Sequence, residues 1–364
     1  MKLKKRQIPW WRTTFGETEI AGVSASIRNE HISQGPVTAE LESKIAAAID
    51  VPYALCTTSG SVALLLAMMT LGIKRGDEVI LPNRTWIATA HAPLILGAKV
   101  VLVDVRPDIP VMDVSQVRKK ITSRTRAIVP VHLCGRSVDM DDIRKIAKER
   151  GILVIEDSCQ AFFSRNSRGY LGTQSDAGCL SMGMTKLIST GQGGVVVMRD
   201  RKIYERMKLV RNHGVIDSFD PTYSRISCNL RFTDVLAAIG LAQLKRVPDR
   251  LKHIRAVYDK YEAGLRDLPF ARLIPVKVRD GEVPLYVEIL SRKRKELMAF
   301  LRARGIDVRP FLPDLCMAPY LRTREKFPNS RVFCGQGFFL PSGPGQPLAN
   351  VKRVIVTLRE FKYR

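Results

Sequence analysis

One lysine, Lys186, stands alone in an otherwise uncharged stretch, residues 177–198, of a chain that carries 59 Lys and Arg residues. Several glycines lie on both sides of it. In a partly apolar, glycine-lined site, desolvation favours the neutral amine of a lysine, and a neutral amine can form a Schiff base with a carbonyl compound. The isolation of Lys186 therefore predicts a reactive amine, and the alternative is a lysine on an exposed loop.

Two adjacent carboxylates, Glu156 and Asp157, end an apolar run that is typical of a buried strand. Successive side chains of a strand point to opposite faces, so only one of the two can face a given crevice. A buried carboxylate without a cationic partner is costly. Asp157 therefore predicts either a positively charged group on a ligand or a structural hydrogen bond, and the residues alone leave both open.

A glycine between small hydroxyl residues, Ser59, Gly60 and Ser61, opens a predicted helix whose next residues, 62–66, are apolar. The first N–H groups of a helix have no partner within it, and the positive end of the helix dipole lies beside them. This arrangement suits a phosphate group. The same residues also fit an ordinary N-cap, so both interpretations stay open.

The elements that must position these residues alternate between short apolar runs and helical patterns over residues 60–200. Continuous apolarity is typical of strands that are buried on both faces of a mostly parallel sheet. The apolar runs are 78–81, 100–104, 127–131, 152–157 and 194–198, and the helical patterns are 61–71, 85–96, 139–150 and 202–212. The repetition predicts an α/β fold with a mostly parallel sheet between helix layers, in which ligands bind beyond the carboxyl ends of the strands.

The pattern changes after Phe232, where two consecutive helical stretches, 233–246 and 248–268, precede a region richer in Pro and Arg. We therefore expect a large domain over residues 1–247 and a smaller C-terminal α+β domain over residues 248–364. The first thirty or so residues are expected to pack partly on the smaller domain. Since no Gly/Ser linker separates the two domains, we expect them to pack tightly.

The composition is that of a globular protein, with 45% hydrophobic and 26% charged residues, and it excludes a disordered chain. The seven cysteines form no C-x-x-C pair, so neither a disulfide framework nor a metal site is predicted. The apolar runs are too short for a transmembrane helix, and the basic N-terminus lacks the apolar run of a secretory signal. We therefore expect a soluble, cytoplasmic protein.

The formal charge of +24 predicts attraction to polyanions, to nucleotide-bearing small molecules or to anionic membrane surfaces. A basic nucleic-acid-binding regulator is one class of protein with such a charge. Regulators of this kind cluster Lys and Arg on one face, often with stacking aromatic residues. Here the basic residues are scattered along the chain and the main N-terminal cluster, residues 2–6, is short. No specific nucleic-acid partner is therefore expected.

Several ordered motifs together resemble the pyridoxal-phosphate-dependent sugar aminotransferases of the DegT type, which have the aspartate-aminotransferase-like fold (fold type I). The matching segments are SGSVAL at 59–64, GDEVILP at 76–82, TWIATA at 85–90, EDSCQA at 156–161, the lysine segment at 181–194 and NLR at 229–231. The resemblance runs from about residue 15 to the C-terminus and is strongest between 50 and 245. It implies the cofactor pyridoxal 5′-phosphate (PLP), which alternates with its pyridoxamine form (PMP).

The resemblance implies a cofactor site in which Lys186 is the lysine of the internal aldimine. Lys186 is then also the base that moves protons between the substrate carbon and the cofactor carbon. Asp157 is implied to keep the pyridine nitrogen protonated. The other implied cofactor-binding residues are Trp86, stacked on the ring, Gln160, at the phenolic oxygen, Gly60, Ser61 and Ser181, at the phosphate, and Asn229, which comes from the neighbouring subunit of a homodimer.

Four further residues match family segments near the substrate, namely Gln34, His132, His213 and Arg231. For the two histidines, a structural hydrogen bond is the alternative. The implied reaction transfers an amino group from glutamate to a nucleotide-linked keto-deoxysugar. A 4-keto-6-deoxyhexose is favoured, because residues 339–345 resemble a segment of perosamine-synthase-like members. Aminocyclitol aminotransferases share the cofactor motifs, and a related group of PLP-dependent sugar dehydratases has histidine in place of the lysine.

Overall fold

The computed structural model describes residues 7–215, 222–321 and 323–362, and within them the chain forms two main sheets covered by helices. The strands are β1 (Tyr53–Thr57), β2 (Glu78–Pro82), β3 (Lys99–Val103), β4 (Thr125–Ile128), β5 (Leu153–Asp157), β6 (Arg165–Asn166), β7 (Gly169–Tyr170), β8 (Ala177–Ser181), β9 (Gly194–Met198), β10 (Arg272–Leu273), β11 (Val287–Leu290), β12 (Arg309–Pro310) and β13 (Gly337–Leu340). The helices are α1 (Glu17–Arg28), α2 (Pro36–Ala48), α3 (Gly60–Leu71), α4 (Ala88–Ile95), α5 (Val114–Lys120), α6 (Met140–Arg150), α7 (Arg201–Arg211), α8 (Asp234–Lys245), α9 (Val247–Leu265), α10 (Arg294–Ala303), α11 (Pro328–Gln336) and α12 (Leu348–Arg359).

The larger sheet has seven strands in the order β1-β9-β8-β5-β4-β2-β3. The pairs from β8 to β3 are parallel, whereas β9 runs antiparallel to both of its neighbours. Alternate side chains of β9 fill two cores, since Val195 and Val197 pack in one apolar cluster and Val196 packs in another. The predicted α/β fold with a mostly parallel sheet between helix layers is confirmed.

Two strands of this sheet, β1 and β8, were not predicted from the apolar runs. Their sequences, YALCT and AGCLS, are rich in small residues and poor in the β-branched residues that mark a strand. Gly178 of β8 has no room for a side chain, because an added Cβ would lie 1.8 Å from the carbonyl oxygen of Gly172. Close packing of the backbone therefore explains a small residue within this strand.

The smaller sheet has four antiparallel strands in the order β10-β11-β13-β12. Tyr261 of α9, Leu297 of α10 and Val351 of α12 pack in one apolar cluster with its strands. Ile8 joins that cluster and pairs with Ile306, whereas helix α1 packs against α8. The boundary after residue 247 stays a prediction. Among the described residues, no helix has both the length and the apolarity that crossing a membrane requires.

Candidate active site

A cavity of about 310 Å³ is lined by residues that follow the carboxyl ends of β1, β2, β4, β5 and β8. This is the edge of the sheet at which the sequence analysis expects a ligand. The cavity brings together seven of the residues that the resemblance implies: Gly60, Ser61, Trp86, Asp157, Gln160, Ser181 and Lys186. Five others do not line it: Gln34, His132, His213, Asn229 and Arg231.

Asp157 is the last residue of β5, and only 5% of it is exposed. Its carboxylate accepts hydrogen bonds from Thr89 Oγ1 (2.7 Å) and from the Cys159 N–H (3.1 Å). The Thr85 hydroxyl lies 2.9 Å from Thr89 Oγ1 and extends the chain of hydrogen bonds. Within the described residues no cation pairs with this carboxylate, so it offers a negative charge to a ligand as well as structural hydrogen bonds.

Lys186 is half-buried, and its Nζ atom lies 5.9 Å from the centre of the Tyr286 ring. Burial lowers the pKa of the Lys186 amine, but the Tyr286 hydroxyl and the Cys159 thiol raise that pKa, and the net direction is upward. Burial therefore acts in the direction expected from the sequence, and the Tyr286 and Cys159 side chains act against it.

The start of α3 forms one end of the cavity. Ser59 caps the helix, because its hydroxyl oxygen accepts a hydrogen bond from the Val62 N–H (3.2 Å). No group among the described residues accepts a hydrogen bond from the N–H of Gly60 or of Ser61. An added Cβ at Gly60 would lie 2.8 Å from Cys159 Sγ and 3.0 Å from Ser181 Cβ, so the cradle closes tightly around this residue. The two free donors suit an anion.

Gln160 and Trp86 present a polar group and an aromatic ring to the same cavity. The Gln160 amide oxygen accepts hydrogen bonds from the Cys134 N–H (3.2 Å) and from its thiol (3.3 Å). This fixes the amide, and its Nε2 has no hydrogen-bond partner among the described residues. Trp86 is 47% exposed although it follows a buried strand. An exposed indole at a cavity is open to stacking with a flat ligand.

Six further residues complete the cavity, and none of them was assigned a role from the sequence. These lining residues are Trp10, Thr89, Cys159, Tyr286, Arg309 and Phe339. The rings of Trp10, Tyr286 and Phe339 lie with their centres 5.2–6.1 Å apart. No spacing rule links these positions, because the smaller sheet and the N-terminal segment carry most of them.

His132 lies in a buried network beside the cavity rather than in it. Its Nδ1 accepts a hydrogen bond from the Val138 N–H (3.2 Å), so its Nε2 donates to Glu156 (2.9 Å). Both ring nitrogens are used and the side chain has no exposed surface. The substrate contact implied for His132 is corrected to the structural hydrogen bond, which was the alternative.

A second cleft, of about 690 Å³, contains two of the implied substrate residues, Gln34 and Arg231. The Arg231 guanidinium donates through Nε to Asn229 Oδ1 (3.1 Å), which places Asn229 beside this cleft. His213 is exposed, and its backbone N–H bonds to the carbonyl oxygen of Cys228, next to Asn229 in the chain. Within one chain, these residues therefore form a group separate from Lys186.

The arrangement of the first cavity fits a flat, phosphorylated carbonyl compound that contains a basic ring nitrogen. The free N–H groups of α3 and the Ser181 hydroxyl match a phosphate, and the Asp157 carboxylate matches a protonated nitrogen. The Lys186 amine matches the carbonyl carbon.

Comparisons with known proteins give consistent matches over almost the whole chain. Residues 13–359 match the DegT/DnrJ/EryC1/StrS aminotransferase family. The chain is 35% identical over 338 residues to the GDP-perosamine synthase of Escherichia coli O157:H7, which covers 90% of this chain and 91% of that protein. It is 34% identical over 334 residues to the GDP-perosamine synthase of Caulobacter vibrioides, which covers 90% of each. The solved structure of S. venezuelae DesV superposes with a TM-score of 0.92 and 29% identity, over 99% of this chain and 100% of that chain.

Proposed function

Since the chain belongs to the DegT/DnrJ/EryC1/StrS aminotransferase family, we propose that it transfers an amino group from glutamate to the keto carbon of a nucleotide-linked deoxysugar. Family membership confirms the predicted aminotransferase activity and the PLP cofactor. The observation that best supports the proposal is the presence of the Lys186 amine and the Asp157 carboxylate in one cavity.

The residues of the cavity fit PLP group by group. The N–H groups of Gly60 and Ser61, with the Ser181 hydroxyl, would hold the phosphate, and Trp86 would cover the ring. When bound, the protonated ring of PLP supplies an electron sink for the reacting carbon. Asp157 would keep the ring nitrogen protonated, because a charge-assisted hydrogen bond contributes about 1.5–3 kcal/mol.

The remaining steps belong to the side chains around Lys186. Lys186 Nζ would hold the cofactor through its amine and would move a proton to and from the substrate carbon. Gln160 Nε2, the end of the amide that Cys134 leaves free, would donate a hydrogen bond to the phenolic oxygen of PLP. Thr89 and the Cys159 N–H orient the Asp157 carboxylate, because both donate hydrogen bonds to it.

The second cleft belongs, in this proposal, to the active site of a neighbouring subunit in a homodimer. Asn229 would then reach the phosphate or the substrate held by the partner, with Gln34 and Arg231 beside it. Large apolar side chains are exposed next to these residues in the sequence, since Ile32 is 60% and Ile226 is 99% exposed. Exposed apolar surface of this kind supports a protein–protein interface.

The names of two relatives guide the choice of substrate. Both are GDP-perosamine synthases, and each matches 90% of this chain. We therefore take a GDP-linked 4-keto-6-deoxyhexose as the first candidate substrate.

Mass spectrometry after incubation with PLP, glutamate and a panel of nucleotide-linked keto-sugars tests the proposal. We expect an amino sugar from one panel member, together with the 2-keto acid of the donor. The panel also includes keto-inositols. An aminocyclitol product would show that the amino acceptor is a cyclitol and not a nucleotide sugar. Loss of oxygen from the sugar without gain of nitrogen would indicate a dehydratase and contradict the proposal.

A further inference from the structure

Arg309 lies on β12 in the smaller sheet and lines the same cavity as Lys186. Its guanidinium carbon lies 5.1 Å from the centre of the Trp10 ring, and the residue is half-buried. Contact with an aromatic ring holds a guanidinium in place without using its N–H donors. Within the described residues no carboxylate or carbonyl oxygen pairs with the Arg309 side chain. Its donors are therefore available to a ligand.

The charges that line the cavity restrict what this guanidinium can bind. The cationic side chains of the lining are Lys186 and Arg309, and Asp157 is the acidic one. Lys186 is committed to the cofactor, and the free N–H groups of α3 match the phosphate of that cofactor. The carboxylate of an amino-acid donor is bonded to the same carbon as its amino group, so the carboxylate must enter this cavity too. Among the cations that this chain itself contributes to the cavity, Arg309 is left to receive it.

We propose that Arg309 binds the α-carboxylate of the amino donor and so selects an α-amino acid rather than a simple amine. Guanidinium groups suit this task because two parallel N–H donors match the two carboxylate oxygens. The inference rests on the proposed function, since it requires that the cavity hold an amino donor. It assigns no part of the nucleotide sugar to Arg309.

Steady-state kinetics of Arg309→Gln test the assignment. We expect kcat/KM for glutamate to fall by about 10- to 100-fold, because the variant loses a charge-assisted hydrogen bond to the carboxylate. KM for the nucleotide sugar should stay unchanged. Arg304→Gln is the matched control, because its guanidinium also lies over an aromatic ring, 3.5 Å from the centre of Phe300, outside the cavity. This control should keep the wild-type kcat/KM. Arg309→Lys should recover part of the loss.

Two further measurements separate carboxylate binding from general damage. Propylamine has no carboxylate, so its slow reaction with the PLP enzyme should proceed at the same rate in wild type and Arg309→Gln. Glutarate has no amino group, and calorimetry should detect its binding to the wild-type PLP enzyme and at least tenfold weaker binding to the variant.

The outcomes distinguish this inference from the proposed function. If wild type transfers no amino group to any panel member, the proposed function fails. If wild type is active but Arg309→Gln keeps the wild-type KM for glutamate and the wild-type glutarate affinity, the assignment of Arg309 is overturned. A rise in KM confined to the nucleotide sugar would also overturn it.

Discussion

Two hydrogen-bond donors hold the Asp157 carboxylate at the end of β5. Thr89 Oγ1 donates at 2.7 Å and the Cys159 N–H donates at 3.1 Å. Both hydrogen bonds hold the carboxylate in the position from which, in the proposed site, it would face the ring nitrogen of PLP. Glu156, the adjacent carboxylate, has no exposed surface and faces a different set of donors. The alternation of side chains along a strand therefore gives two neighbouring carboxylates different tasks.

Thr89→Val tests the importance of the hydroxyl that holds Asp157. The change removes one hydrogen bond to a charged group at nearly constant volume, so we expect kcat to fall by about tenfold. Thr70→Val is the matched control, because the Thr70 hydroxyl is buried without a hydrogen-bond partner. The measurement is kcat for amino transfer by both variants. Equal kcat values would show that Thr89 does not act through Asp157.

The raised pKa of Lys186 predicts how fast the apoprotein captures PLP at different pH values. Only the neutral amine is a nucleophile, and its fraction rises by about tenfold per pH unit below the pKa. Stopped-flow absorbance should therefore show covalent capture that accelerates from pH 7 to pH 9. A rate that is independent of pH over this range would mean that the amine is already neutral at pH 7.

The types of these residues were predictable from the sequence, but their surroundings were not. The isolation of Lys186 and the position of Asp157 at a strand end identified both residues. Tyr286 and Arg309 gave no local signal, because they reach the cavity only when the smaller sheet packs against the larger one. The direction of the Lys186 pKa depends on Tyr286 and therefore could not follow from the sequence.

At the scale of elements, a buried network joins β5 to the loop that precedes β8. Glu156 accepts hydrogen bonds from the N–H groups of Gly172 and Gln174, from the Ser175 hydroxyl and from His132. Burial raises the pKa of this carboxyl, but the hydrogen bond from His132 and the backbone donors lower it, and the net direction is downward. The network thus fixes the strand that carries Asp157.

Glu156→Gln should lower the free energy of unfolding by about 2–4 kcal/mol, because an NH2 group replaces one carboxylate oxygen and leaves two buried donors without an acceptor. A carboxyl whose pKa is lowered by folding contributes stability above its unfolded pKa, and this stability is lost as the pH falls through the folded pKa. The difference between wild type and variant should therefore shrink below about pH 4.5.

Urea unfolding at pH 7 and pH 4 measures both effects. Glu149→Gln is the control, since Glu149 pairs with Arg118 on the surface and its loss should have little effect. If the free energies of unfolding of wild type and Glu156→Gln differed by the same amount at both pH values, the assignment of the stabilising charge to Glu156 would be contradicted.

The strands and helices near the site were partly predictable. The helix expected over 85–96 begins only at Ala88, because Thr85 and Trp86 belong to the loop that lines the cavity. The small residues of β1 and β8 gave no strand signal in the sequence. Both strands pair antiparallel with β9 in the structure. Tertiary packing, rather than local propensity, determined these elements.

For the whole molecule, the separation of Asn229 from Lys186 within one chain is the feature that a homodimer would explain. Mixing Lys186→Ala and Asn229→Ala chains tests it. Half of randomly mixed dimers are hybrids with one intact site, so we expect about one quarter of wild-type activity from two inactive parents. Absence of complementation, despite proven exchange of subunits, would show that each chain uses its own Asn229.

The central claim is that the Lys186 amine binds PLP covalently in the cavity that Asp157 also lines. Borohydride reduction of the PLP-loaded protein, followed by peptide mapping, tests this claim most directly. We expect the pyridoxyl label on Lys186 alone in wild type, and neither label nor multiple turnover in Lys186→Ala. A label on another lysine of the wild-type protein, or full turnover by Lys186→Ala, would contradict it.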